Sequence, residues 1–289
     1  MIQNLPGYGV NVDAGGLRRN PTNVYVDPDL AARERQAFFA GHPQIVGLSG
    51  DLPEPGSFMT IDDLGVPIIA ARADDGSFVV EGASLVRQAA DAGWEIEAQF
   101  VAPGGSAIPV DTPVYSLAEG VLERVATTEA PQPLLAIVRQ RQLPLPATAD
   151  FIVVGDRIAD PGNAGTIIRS AEAAGADAVV FTEGSVDPYN PKVVRATAGS
   201  LFRIPVITRS LADVASMGVQ LVATSSHRGD AYTDTDLTVP IAVVLGNEAH
   251  GVPDDAPVHR WITIPHHGAA ESLNVAMAAT VLAFEVARQ

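Results

Sequence analysis

No cysteine occurs among the 289 residues. Its absence excludes disulfides, thiolate-ligated zinc, iron–sulfur clusters and cysteine nucleophiles, and leaves the redox compartment open. Lysine is almost as scarce: Lys192 is the only one, the other cations being arginines. No apolar run approaches the roughly 20 residues needed to cross a bilayer. The opening Met1-Ile2-Gln3-Asn4-Leu5-Pro6-Gly7 has no basic patch leading into an apolar core, so it does not read as a secretory signal. A cytoplasmic protein with no membrane partner is expected. The C-terminal half also lacks any G-x-G-x-x-G after a strand, which sets a dinucleotide-dependent oxidoreductase far behind other readings.

Cationic side chains number 18 against 34 carboxylates, a formal net charge of −16. The acidic excess is spread along the chain. A nucleic-acid partner ordinarily attracts Lys and Arg to its phosphates, so this balance argues against one. Net charge governs solubility and encounter more than fold, however, and a local arginine cluster can work on an acidic chain.

Three textures follow one another. Residues 1–76 are rich in Pro, Gly and Asp, with a helix expected over Leu30–Phe39, a strand-like run over Val66–Ala71, and turn signals at Pro53-Glu54-Pro55-Gly56. Residues 77–142 read β–α–β: strand Phe78–Val80, helix Gly82–Ala92, strand Ala98–Val101 and a second helix over Ser116–Val125. Residues 143–150, with Pro144 and Pro146, read as a linker. From 151 to 289, four continuous apolar runs (Phe151–Val154, Ala178–Phe181, Gln220–Ala223 and Ile241–Leu245) alternate with helices. Continuous runs indicate strands covered on both faces, hence a parallel sheet with helices on each side. The helix after the first run opens at Asp160-Pro161 and closes at Gly175. The last helix, expected over Leu273–Arg288, is apolar around most of its circumference and must be buried on more than one side.

Three segments of this half place polar residues and glycines directly after buried strands, where open parallel sheets bind ligands. The first is Asp160-Pro161-Gly162-Asn163-Ala164-Gly165-Thr166-Ile167-Ile168-Arg169-Ser170, with Asn163, Thr166 and Arg169 at helical spacing. It reads equally as a capped helix bearing a solvent-facing arginine. In the second, Gly246-Asn247-Glu248-Ala249-His250-Gly251, two glycines bracket a loop that a ligand can approach closely. The third, Ile264-Pro265-His266-His267-Gly268-Ala269-Ala270-Glu271-Ser272-Leu273-Asn274, runs into the last helix, where Ser272 taken alone reads as a helix cap. Adjacent histidines do not converge on one ion and no thiolate completes a set, so no metal is expected.

Together, in this order and spacing, the three segments resemble the signature motifs of the SpoU (TrmH) class of SPOUT methyltransferases. The intervening stretch from Asn190-Pro191-Lys192-Val193-Val194-Arg195 to Leu201-Phe202-Arg203-Ile204-Pro205-Val206 resembles that class too. Residues 77–142 look like the small α/β RNA-binding module that precedes the catalytic domain, through Phe78-Val79-Val80-Glu81-Gly82 and Pro131-Gln132-Pro133. The resemblance implies a parallel α/β fold with a C-terminal trefoil knot over 151–289, a homodimer, and 2′-O-methylation of a ribose in ribosomal or transfer RNA. S-adenosylmethionine is then held near Thr224, Leu245, Gly246, Ile264 and Leu273. Arg169 is the implied catalytic centre, oriented with the ribose and cofactor by Asn163, Glu248, Ser272 and Asn274. Because arginine keeps its proton, it acts with a substrate phosphate or by stabilising the developing alkoxide. Arg157, Arg195 and Arg203 are candidates for phosphate contacts. A binding protein of the same fold without turnover is the alternative. The family often carries a basic residue where this chain has Ala269. Residues 24–76 weakly resemble the opening of Rieske-type oxygenase large subunits, without the Cys and His ligands of that cluster; an atypical N-terminal extension over 1–76 is the reading.

Overall fold

The structure is a computed structural model. It describes residues 76–289 apart from 118, 120–121, 123–131, 239 and 269–271, together with the pieces 11–12, 18–19, 28–34, 58–61 and 68–71. Two compact units divide the chain, 1–72 and 73–289. In the first, β1 (Asn11–Val12) pairs antiparallel with β2 (Arg18–Arg19), and β3 (Phe58–Ile61) with β4 (Ile68–Ala71). Helix α1 spans Pro28–Glu34, starting two residues ahead of expectation because proline suits the first helical position. Most of the stretch that resembles the oxygenase lies outside the described residues.

The second unit opens with a four-stranded sheet ordered β5-β8-β6-β7. Its strands are β5 (Ser77–Glu81), β6 (Ile96–Val101), β7 (Val114–Ser116) and β8 (Leu134–Arg139), and α2 (Ala83–Asp91) packs against it. The expected β–α–β start is present. Ser116, however, ends strand β7 and does not open a helix, because Val114–Ser116 pairs in parallel with Gln99–Val101. Most of the remaining stretch to Val125 lies outside the described residues. The central strand β8 was not anticipated. Residues 140–150 carry no helix or strand.

Seven parallel strands follow in the order β11-β10-β9-β14-β12-β15-β13. They are β9 (Phe151–Gly155), β10 (Ala178–Phe181), β11 (Val206–Thr208), β12 (Gln220–Thr224), β13 (Asp230–Ala231), β14 (Ile241–Leu245) and β15 (Arg260–Thr263). Alternate residues of the continuous apolar strands serve opposite faces. Val153 and Val179 pack with α3 (Pro161–Ala173) and α6 (Val275–Arg288). Ile152, Val154 and Val180 pack on the other side with Val214 of α5 (Leu211–Ala215). Burial on both faces is why these strands lack an alternating pattern. Three strands escaped sequence reading: β11 and β13 are short, and β15 (Arg-Trp-Ile-Thr) mixes charge with apolar residues. From β9 the chain runs outward to β11, then returns to build the other half beyond β14. The reversal leaves the loops after β9 and β14 side by side, at the topological switch point where parallel sheets open a crevice.

Candidate active site

Helix α3 starts where its sequence dictates. Asp160 caps it by accepting the Asn163 backbone N–H at 2.8 Å, and Pro161 fills the first position. The cap leaves Asn163 on the first turn, facing the loop after β14. There the Glu248 carboxylate accepts from the Asn163 side-chain amide at 3.0 Å and from the backbone N–H groups of Ala159 at 3.2 Å and Asp160 at 3.1 Å. Asn163 Oδ1 accepts in turn from Asn274 Nδ2 at 3.0 Å, and Asn274 Oδ1 caps α6 by accepting from Ala276 and Met277 N–H.

Donor and acceptor chemistry fixes the direction of this relay. Helix amides only donate, so Asn274 must turn its oxygen to them and its NH₂ to Asn163. Asn163 is then left with its own NH₂ for a carboxylate that only accepts. Three loops remote in sequence are thereby locked together. Partial burial pushes the Glu248 carboxyl up. The hydrogen bonds from Asn163 and from the amides of Glu248, Asp160 and Ala159 outweigh that effect and hold it below its ordinary value.

Beside the relay is a cavity of about 620 Å³, within the range that takes a small ligand. Loops following β12, β14 and β15 line it, contributing Thr224 to Arg228, Gly246 to Val252, and Ile264 with Ser272 to Val275. Gly246 must be glycine: a Cβ there would lie 2.1 Å from the Gly251 carbonyl carbon and 2.2 Å from the Val252 nitrogen. Asn247 ties the loop down by donating to the Arg157 carbonyl at 2.8 Å while accepting from the Ala249 and His250 amides. Also in the lining, the Arg228 guanidinium lies 3.5 Å over the Trp261 ring and pairs with Asp254 at 2.7 Å. The lining combines apolar side chains (Val252, Ile264, Leu273) with hydroxyl, amide and carboxylate groups. Such a mixture suits a ligand that carries both apolar and polar groups.

Of the residues singled out in the sequence, Glu248, Ser272, Asn274, Thr224, Gly246, Ile264 and Leu273 line this cavity, and Asn163 braces it through Glu248 and Asn274. Leu245 is fully buried behind the wall, and its carbonyl accepts from the Asp156 amide at 2.7 Å. Arg169 is exposed on α3, does not line the cavity, and among the described residues makes no hydrogen bond or ion pair. Neither Asn163 nor Glu248 orients it. Arg157 sits at positive φ (52°) and pairs with Asp156, while Arg195 and Arg203 pair with Glu81 and Glu172; none of the three lines the cavity. Ser272 does not cap the last helix, which starts at Val275 under Asn274. Among the described residues no group of three or more His, Asp or Glu is placed to hold a metal, and no helix is long and apolar enough to cross a membrane. Sequence reading gave Asn247, Arg228 and Trp261 no role. Asn247 lay within a quoted motif. Arg228 and Trp261 meet only through the β12–β15 pairing, which sets Ala223 beside Trp261 and leaves no local signal.

Fold and crevice together define a doubly wound α/β protein with a small-molecule site at the carboxyl ends of its strands. The chain belongs to the SpoU rRNA methylase family, whose model matches residues 150–284, while residues 70–136 match the MRM3-like substrate binding domain. It is 34% identical over 226 residues to the Bacillus subtilis 23S rRNA (guanosine(2553)-2'-O)-methyltransferase RlmP, spanning 74% of this chain and 90% of that protein. It is 31% identical to a Streptomyces viridochromogenes 23S rRNA (uridine(2479)-2'-O)-methyltransferase, over 75% of this chain and 85% of the relative. Among solved structures it is similar to the SpoU methyltransferase AviRb of S. viridochromogenes in complex with AdoMet, at TM-score 0.68 and 30% identity over 74% of this chain and 90% of the other. The AdoMet-bound rRNA methyltransferase of Sinorhizobium meliloti is similar at TM-score 0.65 and 34% identity, over 73% and 87%.

Proposed function

We propose that this protein is an S-adenosylmethionine-dependent RNA methyltransferase that methylates a ribose 2′-hydroxyl, with ribosomal RNA favoured over transfer RNA by the named activities of its relatives. The observation that carries the reading is the convergence of three loops on one cavity, braced by the Glu248–Asn163–Asn274 relay. S-adenosylmethionine supplies an electrophilic methyl on sulfur. Thr224, Gly246, Ile264 and Leu273 hold it from the cavity wall, with Leu245 behind them. The Glu248 carboxylate, kept ionised by its hydrogen bonds, sets a negative potential beside a cationic donor. Ser272 and Asn274, at the cavity mouth, orient the incoming ribose. Alignment of hydroxyl and methyl, held by these groups, is where most of the acceleration arises.

Arg169 supplies positive charge to the developing alkoxide, and Arg157 contacts a flanking phosphate. Because Arg169 lies outside its own subunit's cavity, its setting matters. Helix α3 packs on α6, where Ser170 and Thr280 hydroxyls meet at 2.7 Å. Helix α6 exposes Met277 (53%), Val281 (37%) and Phe284 (50%) at i, i+4, i+7 spacing. That stripe is the contact of a homodimer, which places α3 and Arg169 beside the subunit junction. The chain is organised as an extension (1–76), an RNA-binding module (77–142), a linker (143–150) and a catalytic domain (151–289) whose C-terminus threads a trefoil knot. The four- and seven-stranded sheets on either side of 140–150 support this division. The position of β15 on the far side of β12 from β14, with Ser272, Leu273 and Asn274 lining the same cavity as the loop after β14, supports the threading. The work of such an enzyme is cytoplasmic.

Calorimetry and a labelling assay test this. S-adenosylmethionine is expected to bind saturably where NAD does not, and labelled methyl is expected to pass to cellular RNA. Binding without labelling would leave the non-catalytic alternative in possession.

A further inference from the structure

The stretch 190–206 shares the family resemblance but takes no part in the cavity. Its residues do something else. Helix α4 (Pro191–Ala196) and the 3₁₀ turn Ser200–Phe202 face the small module. Val194, Leu201 and Phe202 belong to one core with Phe78, Val80, Val86 and Trp94 of that module. Phe202 stacks with Phe78 (centroids 6.4 Å) and meets Trp94 edge-on at 5.4 Å. The buried Trp94 indole N–H donates to the Phe202 carbonyl at 3.1 Å.

Polar ties ring this core. Arg195 donates to Glu81 of β5 at 3.2 Å. Arg203 donates to Glu172 of α3 at 2.9 Å and to Gln88 of α2 at 2.9 Å, so one guanidinium joins the two parts. Gly199 lies against the small module at φ 96°, where a Cβ would stand 2.1 Å from Gln88 Oε1, the end of a flexible side chain. The left-handed conformation is what favours glycine there. An apolar core shared across a boundary, with a buried directional hydrogen bond, resists hinge motion in a way that exposed ion pairs alone do not.

We infer that residues 190–206 form a docking cradle that locks the small module onto the catalytic domain as one rigid body, so that Arg195 and Arg203 are positioning residues that select the methylated nucleotide through geometry, not phosphate contacts. This rests on the methyltransferase reading. With the module fixed, the distance between whatever RNA feature it grips and the cavity is constant, and one nucleotide at that distance receives the methyl. Loosening the cradle leaves the cofactor cavity untouched but blurs the register.

The test is a charge swap across the Glu81–Arg195 tie, assayed with the full chain on RNA. Arg195→Glu and Glu81→Arg alone are each expected to raise KM for RNA about tenfold and to spread 2′-O-methyl onto neighbouring nucleotides. The S-adenosylmethionine Kd stays unchanged, and the double swap recovers both KM and site fidelity. Were Arg195 a phosphate ligand, Glu81→Arg would not weaken RNA binding and the double swap would remain as poor as Arg195→Glu; that result overturns the inference. Trp94→Phe keeps an aromatic ring but deletes the indole donor and part of the buried volume: it is expected to lower Tm and to blur the methylated site while the S-adenosylmethionine Kd stays unchanged, and unchanged fidelity counts against the cradle. A wild-type chain that labels no RNA at all would indict the methyltransferase reading instead.

Discussion

At the scale of single residues, the site is a problem in satisfying polar groups. Asn163, Asn274 and Glu248 each have one arrangement that satisfies both neighbours, and the structure adopts it. Glu248 makes this measurable. Its folded-state value is depressed, so the stability it contributes is complete above the unfolded carboxylate value of about 4.3 and is lost as pH falls through the lower folded value. Glu248→Gln keeps the shape and removes the charge. Allowing for exposure, about 1 kcal/mol is at stake, or roughly 2–4 °C in Tm. Wild type is expected to melt above the variant by that margin from about pH 5 upward, with the gap closing in more acid solution; a gap that widens in acid contradicts the assignment. Sequence reading found all three residues because motif spacing exposes them. It did not give how they pair, and a single chain does not bring Arg169 to them, because side-chain direction along a helix depends on how that helix is docked.

At the scale of elements, α3 was legible in full from its cap, its proline and its closing glycine. The four long buried strands were legible from their unbroken apolar runs. Strand β8 and the short edge strands were not, since partners distant in sequence create them. Helix α6 shows the same division. Its all-round apolar character was evident, and Ala276, Ala279, Leu282 and Ala283 are buried against the molecule. The remaining stripe of Met277, Val281 and Phe284 is open to solvent in one chain. Exposing three large apolar side chains on one stripe costs several kcal/mol relative to covering them. Phe284→Arg, lying away from the cavity lining, is expected to shift sedimentation from dimer to monomer while leaving cofactor binding within about twofold. A variant that stays dimeric would move the interface elsewhere.

For the molecule as a whole, the acidic balance of −16 is the feature least congenial to an RNA substrate. Arg195 and Arg203 are spent internally, tying Glu81 and Glu172, so they add little to phosphate attraction. One core joins the small sheet to the parallel sheet, and the crevice opens beyond the carboxyl ends of β12, β14 and β15. The sheet and its crevice could be foreseen from the order of apolar runs and glycine loops. The joining of the two parts could not, because it depends on aromatic contacts between residues about a hundred positions apart, such as Trp94 and Phe202. The most direct test of the central claim is to incubate the full chain with methyl-labelled S-adenosylmethionine and ribosomal RNA, digest the product to nucleosides, and locate the label. A single nucleoside is expected to carry it on the ribose O2′, with at least about a hundredfold loss in Arg169→Ala, on the scale of removing one oxyanion-stabilising donor. Label on a base, or full transfer by Arg169→Ala, would contradict that claim.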